Sequence, residues 1–369
     1  MKLTLAYLCN TKSWGGLEMN QIRNATWMKE RGHDVHVFVL IDSPAYTEAL
    51  ENNLTVHIIS KHKKHYDFYN AYKLFKILTK INVNCLIVRS TFDMSIAASV
   101  SFFSGRKIKT VFCMEMQLSF PKKQFFRTWR YRYLDAWCCP LNYLKEQVLT
   151  NTNMNKDRIF VVPSGIDIQK INLIPKSEAR EELNLPQCAL VFGVLGRIDP
   201  KKGHKTIIET WKNTSDSILL IQGDSESTKH KQYLKEIYAF ITQNKLNNRI
   251  HFKPFSSNTQ FFFNAIDALI VPSENETVGM VTIEAIAYKK TVIGSNSGGT
   301  REILSNPQLG YLFEPNSHKD LIKKIKEFEK DKNNFFPQIF STEIGKYNKD
   351  RVCEKMEEII VYIIHKKQT

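Results

Sequence analysis

The chain has 369 residues, 43% hydrophobic and 24% charged, which suits about two domains of ordinary size. Its 15 glycines and 12 prolines are too few for a disordered or fibrous chain, and 11% aromatics supply ample core. The net charge of +15 is concentrated in residues 1–150, with 21 Lys/Arg against 11 Asp/Glu, a balance that suits nucleic acid, an anionic membrane surface or phosphorylated ligands alike.

Met1-Lys2 and the apolar run Leu3–Cys9 resemble the start of a signal peptide. The run ends at Asn10-Thr11-Lys12, at the short limit for such a segment, and no small-residue cleavage site follows. A buried first strand is expected instead. No apolar stretch approaches the ~18–20 residues of a spanning helix. The seven cysteines form no C-x-x-C pair and no zinc spacing, so reduced, mostly buried thiols and a cytoplasmic location are expected.

Strand and helix signals then alternate. Leu3–Cys9 is followed by a helical stretch Leu17–Arg31 that stops at Gly32. Strands are expected at Val35–Ile41, Thr55–Ile59, Cys85–Val88, Lys109–Met114, Ala136–Pro140 and Ile159–Pro163, with a helix at Tyr69–Ile81. The stretch 169–187 holds Pro175, Pro186 and several charges, and reads as a linker with a short helix. Beyond it the alternation restarts: strands Ala189–Leu195, Ile218–Ile221, Ile250–Phe252, Ala268–Val271 and Thr291–Gly294. The helices between and after them are Thr206–Trp211, Lys231–Asn244, Phe261–Asn264, Thr282–Tyr288 and Thr300–Leu304. Repeated βα units imply parallel sheets. The expected organisation is an α/β protein with two Rossmann-like domains facing a cleft, at 1–168 and 188–345. A C-terminal helix at 346–369 would pack back on the first.

The strongest chemical signal runs from Pro272 to Ala287. A strand ends, a loop carries Glu276, Gly279 opens a helix, and Glu284 lies within it. Ligands of open α/β sheets bind at such carboxyl strand ends. The amides of Val278, Gly279 and Met280 would face outward at the helix start, ready for anionic or polyhydroxyl ligands. Two acids eight apart are more often just a solvated loop and a helix face; the strand, the glycine and the apolar neighbours Ile283 and Ile286 favour a site. The second signal is Gly196-Arg197 with Lys202-Gly203 after another strand. Arg197 and Lys202 would bracket a diphosphate, with the following helix start adding donors. A basic surface turn is the competing reading.

The order and spacing of these motifs resemble a retaining glycosyltransferase of the GT-B fold, glycosyltransferase family 4, over nearly the whole chain. Gly15-Gly16-Leu17-Glu18 resembles the family's Gly-Gly-x-Glu loop, and Gly32–Val35 the turn into its second strand. Val161–Asp167 resembles the hinge segment, and Gly196-Arg197…Lys202-Gly203 the diphosphate site. Gly223-Asp224 resembles the segment after the next strand, Glu276…Glu284 the E-x7-E pair, and Ser297–Glu302 the following Gly-Gly stretch. The resemblance implies that Arg197 and Lys202 hold the pyrophosphate of a nucleotide sugar and neutralise the departing diphosphate. Glu284 would hold the ribose and Glu276 the donor sugar, with amides of Val278–Met280 assisting. Gly15 and Gly16 would let backbone approach the phosphates and acceptor. Catalysis would be electrostatic, with no cofactor; no D-x-D occurs, so no metal is expected.

Two departures stand out. The family often carries a His after the strand matching Lys109–Met114, near the anomeric carbon. Here Cys113-Met114-Glu115-Met116 has none, and Glu115 is expected in that neighbourhood with a catalytic role. Val278 stands where an aromatic is expected. Finally, Phe126, Trp129, Tyr133 and Trp137 repeat at helical spacing beside Lys123, Arg127 and Arg130. Residues 122–137 therefore read either as an interfacial helix for an anionic membrane or as a core helix with a basic edge. The expected partners are a nucleotide-sugar donor and a glycan or lipid-linked acceptor of surface polysaccharide or lipopolysaccharide synthesis, without nucleic acid. The competing readings are a sugar-nucleotide epimerase of the same fold and a non-catalytic basic protein binding nucleic acid or membrane.

Overall fold

The computed structural model describes residues 1–65, 67–214, 216–225, 228–331 and 337–366. It divides into two units: Met1–Gly165 together with the segment from Lys349 onward, and Ile166–Asn348. Each is a parallel sheet covered by helices.

In the first unit the strands are β1 (Thr4–Cys9), β2 (Asp34–Leu40), β3 (Thr55–Ile59), β4 (Cys85–Val88), β5 (Lys109–Cys113), β6 (Ala136–Cys139) and β7 (Ile159–Val161). They lie in the order β3-β2-β1-β4-β5-β6-β7, every pair parallel. A parallel strand is buried on both faces and therefore reads as a continuous apolar run. In β1, Leu5, Tyr7 and Cys9 enter one core and Ala6 and Leu8 the other, the period-two alternation of a strand. The first of these cores takes in the helix Gly16–Glu30 through Ile22, Ala25 and Trp27. It also takes in the C-terminal helix Lys349–His365 through Val352, Met356 and Ile360.

The second unit holds β8 (Val191–Leu195), β9 (Ile218–Gln222), β10 (Ile250–Lys253), β11 (Ala268–Val271), β12 (Thr291–Ser295) and β13 (Gly310–Phe313), in the order β10-β9-β8-β11-β12-β13, again all parallel. The segment expected to be a linker, 169–187, is a packed part of this unit. Its helix Lys176–Glu182 buries Arg180, whose guanidinium donates to the Ala265 carbonyl (3.0 Å), the Gln187 carbonyl (2.6 Å) and the Asp267 carboxylate (2.9 Å). Pro175 stands at the N-cap of that helix and Pro186 lies beyond its end, so the prolines delimit a helix rather than loosen a tether. The domain limits move accordingly, to 165/166 and 348/349.

The aromatic stripe of 122–137 is also corrected. The helix spans only Phe125–Arg132, and Trp137 lies in β6, 1% exposed, edge-on to Phe112 at 4.9 Å. Trp129 packs edge-on to Phe68 and against Tyr133, while the Phe126 side chain lies outside the described residues. The cause is Asp135: it is buried, accepts the Thr110 amide (2.9 Å), and draws the chain into the β5–β6 ladder. The four aromatics share no helical face.

Glu357 on the C-terminal helix receives two hydrogen bonds from Arg31 (2.5 and 2.8 Å) and lies 2.9 Å from His33 Nε2. Because His33 Nδ1 accepts the Leu3 amide, Nε2 carries the proton and donates. The Arg31 hydrogen bond holds the Glu357 carboxyl below its ordinary range, against the opposing effect of burial. A depressed acid stabilises the fold above its unfolded value of about 4.3 and ceases to do so as pH falls through the lower folded value. Glu357→Gln should therefore cost about 1 kcal/mol at pH 7. Urea unfolding of both proteins should find the difference shrinking as pH falls below about 4.3.

Candidate active site

The second sheet reverses its winding between β8 and β11, neighbours in space that are far apart in sequence. Crossovers leave these two strands in opposite directions, so a crevice opens at their carboxyl ends. Both motifs singled out from the sequence in this unit emerge there: Gly196-Arg197 just beyond β8, and Pro272–Gly279 beyond β11.

After β8 the backbone keeps pairing with the strand beside it: the Gly196 amide donates to the Gln222 carbonyl and the Ile198 amide to the Asp224 carbonyl, both at 3.0 Å. Asp199 then caps a short turn, accepting the Lys201 amide at 2.8 Å. Gly203 closes the turn at φ +73°, where an added Cβ would lie 2.1 Å from the Pro272 carbonyl oxygen. This close approach brings Lys202 to the other motif: its ammonium donates to Glu276 Oε2 at 2.7 Å. The pair is half-buried, with side-chain exposures of 35% and 15%. Behind it, burial pushes the His204 imidazole down to about 4, so this ring is neutral at physiological pH.

Glu276 is fixed from the other side as well. Its carbonyl accepts the Gly299 amide at 2.8 Å, and Gly298, at φ +51°, leaves no room for a Cβ, which would sit 2.1 Å from that carbonyl. The glycine pair of Ser297–Glu302 thus lets the helix Gly298–Ile303 abut the Glu276 loop. Gly279, at φ +76°, caps the helix Met280–Ala287, whose first amides lack intrahelical acceptors. Val278 is buried, while Met280 and Glu284 are half-buried, Glu284 one turn into the helix. Arg197 is exposed. The second unit therefore assembles Lys202, Glu276 and the helix start, with Gly196 and Arg197 at the adjoining strand end. This set offers cations and amides for an anion and carboxylates for hydroxyls.

The remaining candidates belong to the first unit. Gly15 is the extended N-cap of the helix Gly16–Glu30, and a Cβ on Gly16 would meet open space. Glu115 follows β5 and is locked in place. Asn20 donates to both its carboxylate oxygens at 3.0 Å, and the buried guanidinium of Arg89 forms an ion pair with it. Glu115 is thus a buried anchor for Arg89. Sequence reading missed Arg89 and Asn20, although Arg89 directly follows β4 at a carboxyl strand end, the position that flagged Arg197. Among the described residues no three His, Cys, Asp or Glu side chains gather as a metal site requires. No described helix is long and apolar enough to cross a membrane.

Two Rossmann-like units of this topology define the GT-B class. A glycosyltransferase from Rickettsia africae superposes with a TM-score of 0.87, covering 99% of this chain and 100% of its own at 20% identity. Anabaena Alr3699/HepE in complex with UDP gives 0.85, covering 98% and 100% at 18% identity. Residues 14–170 match the family model for Glycosyltransferase Family 4 and residues 175–351 that for Glycosyl transferases group 1. The chain belongs to this glycosyltransferase family. The lipopolysaccharide 1,2-N-acetylglucosaminetransferase of Salmonella typhimurium is 26% identical over 54% of this chain and 55% of its own. The chain thus spans about half the length of the curated relatives it matches first.

The glycines separate by their surroundings. Gly203→Ala combines a left-handed backbone with a clash against Pro272, and should lower stability by about 1–3 kcal/mol. Gly16→Ala meets open space at a helix start, and should be neutral or gain up to about 1 kcal/mol. Thermal unfolding of the two variants beside the wild type checks the contrast.

Proposed function

We propose that the chain is a retaining glycosyltransferase. It moves a sugar from a nucleoside-diphosphate donor to a glycan or lipid-linked acceptor, in the synthesis of a cell-surface polysaccharide or lipopolysaccharide on the cytoplasmic side of the membrane. The observation that carries this reading is the contact of Lys202 with Glu276 at the β8/β11 crevice, beside Arg197 and the start of the helix Met280–Ala287. The Salmonella relative, named for lipopolysaccharide, supports the acceptor class, and the UDP bound by the Anabaena neighbour supports a uridine donor.

In this reading the second unit binds the donor and the first the acceptor. Arg197 and Lys202 hold the diphosphate and stabilise the charge that builds on it as the glycosidic bond breaks, a role worth most where water is excluded. Lys202 is paired with Glu276. A diphosphate competes for the ammonium and releases the carboxylate to accept hydroxyls of the donor sugar. Glu284 accepts the ribose hydroxyls, and the amides of Val278, Gly279 and Met280 face phosphate and sugar. Gly15 and Gly16 leave backbone accessible on the first unit. Two fixed cations supply the counter-charge, so no metal or other cofactor takes part.

The two carboxylates should fail differently. Glu284→Gln should mainly weaken donor binding, because an amide is a poorer acceptor for two hydroxyls. Glu276→Gln should lower kcat at least ten-fold without lowering UDP affinity, since it acts as charge develops and its loss frees Lys202. Calorimetry with UDP alongside UDP-sugar turnover separates the two; a Glu276 variant that turns over normally, or that no longer binds UDP, contradicts the assignment. Excess EDTA should leave turnover unchanged. Loss of activity restored by Mn²⁺ or Mg²⁺ would show that the cations do not suffice.

A further inference from the structure

The first unit contains a cavity of about 260 Å³ that the donor chemistry does not use. It lies at the carboxyl ends of β4 and β5, under the helix Phe125–Arg132. Among its described lining residues are Lys64, His65, Arg89, Lys122, Arg127 and Arg130. The only carboxylate among its described lining residues is Glu115, already held by Arg89 and Asn20. The floor is apolar, formed by Phe112, Met114 and Trp137, all nearly fully buried. Arg130 is itself 7% exposed, its guanidinium 3.5 Å from Ser95 Oγ.

Like charges confined over an apolar floor repel one another strongly, because the local dielectric is low. The same crowding acts on the neighbours. Burial lowers the proton affinity of Lys122, and the charges of Arg127, Lys64 and Arg130 lower it further. The same three cations act on His65 in the same direction, again behind burial. An anion in the cavity would be attracted by all of these groups at once. The volume falls below the ~300–1,000 Å³ of pockets for drug-sized ligands, and guanidinium forks match phosphate oxygens in pairs.

We propose that this cavity binds a phosphate or diphosphate group carried by the acceptor. The cavity's affinity for phosphate stands on its own lining; the assignment to an acceptor rests on the transferase reading above. The same segment exposes Met116, Phe120 and Phe125 at 59%, 67% and 91%, so the phosphate has two possible sources, a soluble phosphorylated sugar or the head of a lipid.

Inorganic pyrophosphate is the probe for the soluble source. It is titrated by calorimetry into Arg197→Ala/Lys202→Ala protein, which removes the donor-side cations. One site should remain, and adding Lys122→Ala/Arg127→Ala should weaken it at least ten-fold, while Arg127→Lys, which keeps the charge but loses the fork, should weaken it less than Arg127→Ala does. For the lipid source, otherwise wild-type protein and its Lys122→Ala/Arg127→Ala variant are sedimented with phosphatidylcholine vesicles with and without phosphatidate. Phosphatidate-dependent sedimentation lost in the variant supports a lipid-borne phosphate. Pyrophosphate binding lost in the variant, without vesicle binding, supports a soluble one. No dependence on Lys122 and Arg127 in either arm overturns the proposal. UDP affinity of the Lys122→Ala/Arg127→Ala variant, expected at wild-type level, reports that the fold is intact. Absence of UDP binding to the wild type would instead defeat the donor reading and leave the pyrophosphate result standing.

Discussion

A parallel sheet cannot return its chain along an edge; each connection must cross one face. Where successive crossovers change direction, two adjacent strands end with nothing between their exits. In the second unit this happens between β8 and β11, and the position of every candidate donor residue follows from it. Gly196 and Arg197 stand at one strand end and the Glu276 loop at the other. The close packing at Gly203 and Gly298 then sets how far apart the charged groups lie. The ion pair of Lys202 with Glu276 is the product of that backbone geometry, since both glycines let carbonyl groups approach where any side chain would intrude.

The first sheet obeys the same constraint between β1 and β4, with a different electrostatic result. Glu115, Arg89 and Asn20 satisfy one another near those strand ends, so the Glu115 carboxylate is spent on holding a guanidinium in place. The cations farther along, from Lys64 to Arg130, outnumber the acids among the described residues that line their cavity. One unit thus places a carboxylate against its exposed cationic turn, while the other keeps an excess of positive charge over an apolar floor. Two units of similar topology thus differ in their electrostatics.

Most of the fold was legible because doubly covered strands leave an apolar signature that survives any detail of packing. Thr55–Ile59, Cys85–Val88 and Ala268–Val271 are read correctly to the residue, and the C-terminal helix expected at 346–369 spans Lys349–His365. β13 was missed: four residues, two of them half-buried, beginning at a glycine that packs on the Val292 carbonyl, carry too little pattern. The segment 169–187 was misread because prolines and charges mark a helix boundary as readily as a tether, and only tertiary contact shows Arg180 reaching Asp267. The stripe through Trp137 failed for a related reason. Spacing at helical period cannot register that the helix stops at Arg132 and that Asp135, bound to the Thr110 amide, leads into β6. The motifs of the second unit were legible as motifs, since strand–loop–glycine–helix order is local. The cationic cavity was not, because it gathers side chains from segments as far apart as Lys64 and Arg130.

The C-terminal helix gives the two units different histories during synthesis. Residues 166–348 are continuous, so that unit has its entire core once Asn348 has left the ribosome. The first unit, although made earlier, must wait: Trp27, Val111 and Cys113 share a core with Val352, Met356 and Ile360, which emerge only afterwards. Until then the helix Gly16–Glu30 covers only part of that face, and the strip that the C-terminal helix will bury stays open while the second half is made. The unit begun first is therefore the one completed last, by the 17-residue helix Lys349–His365.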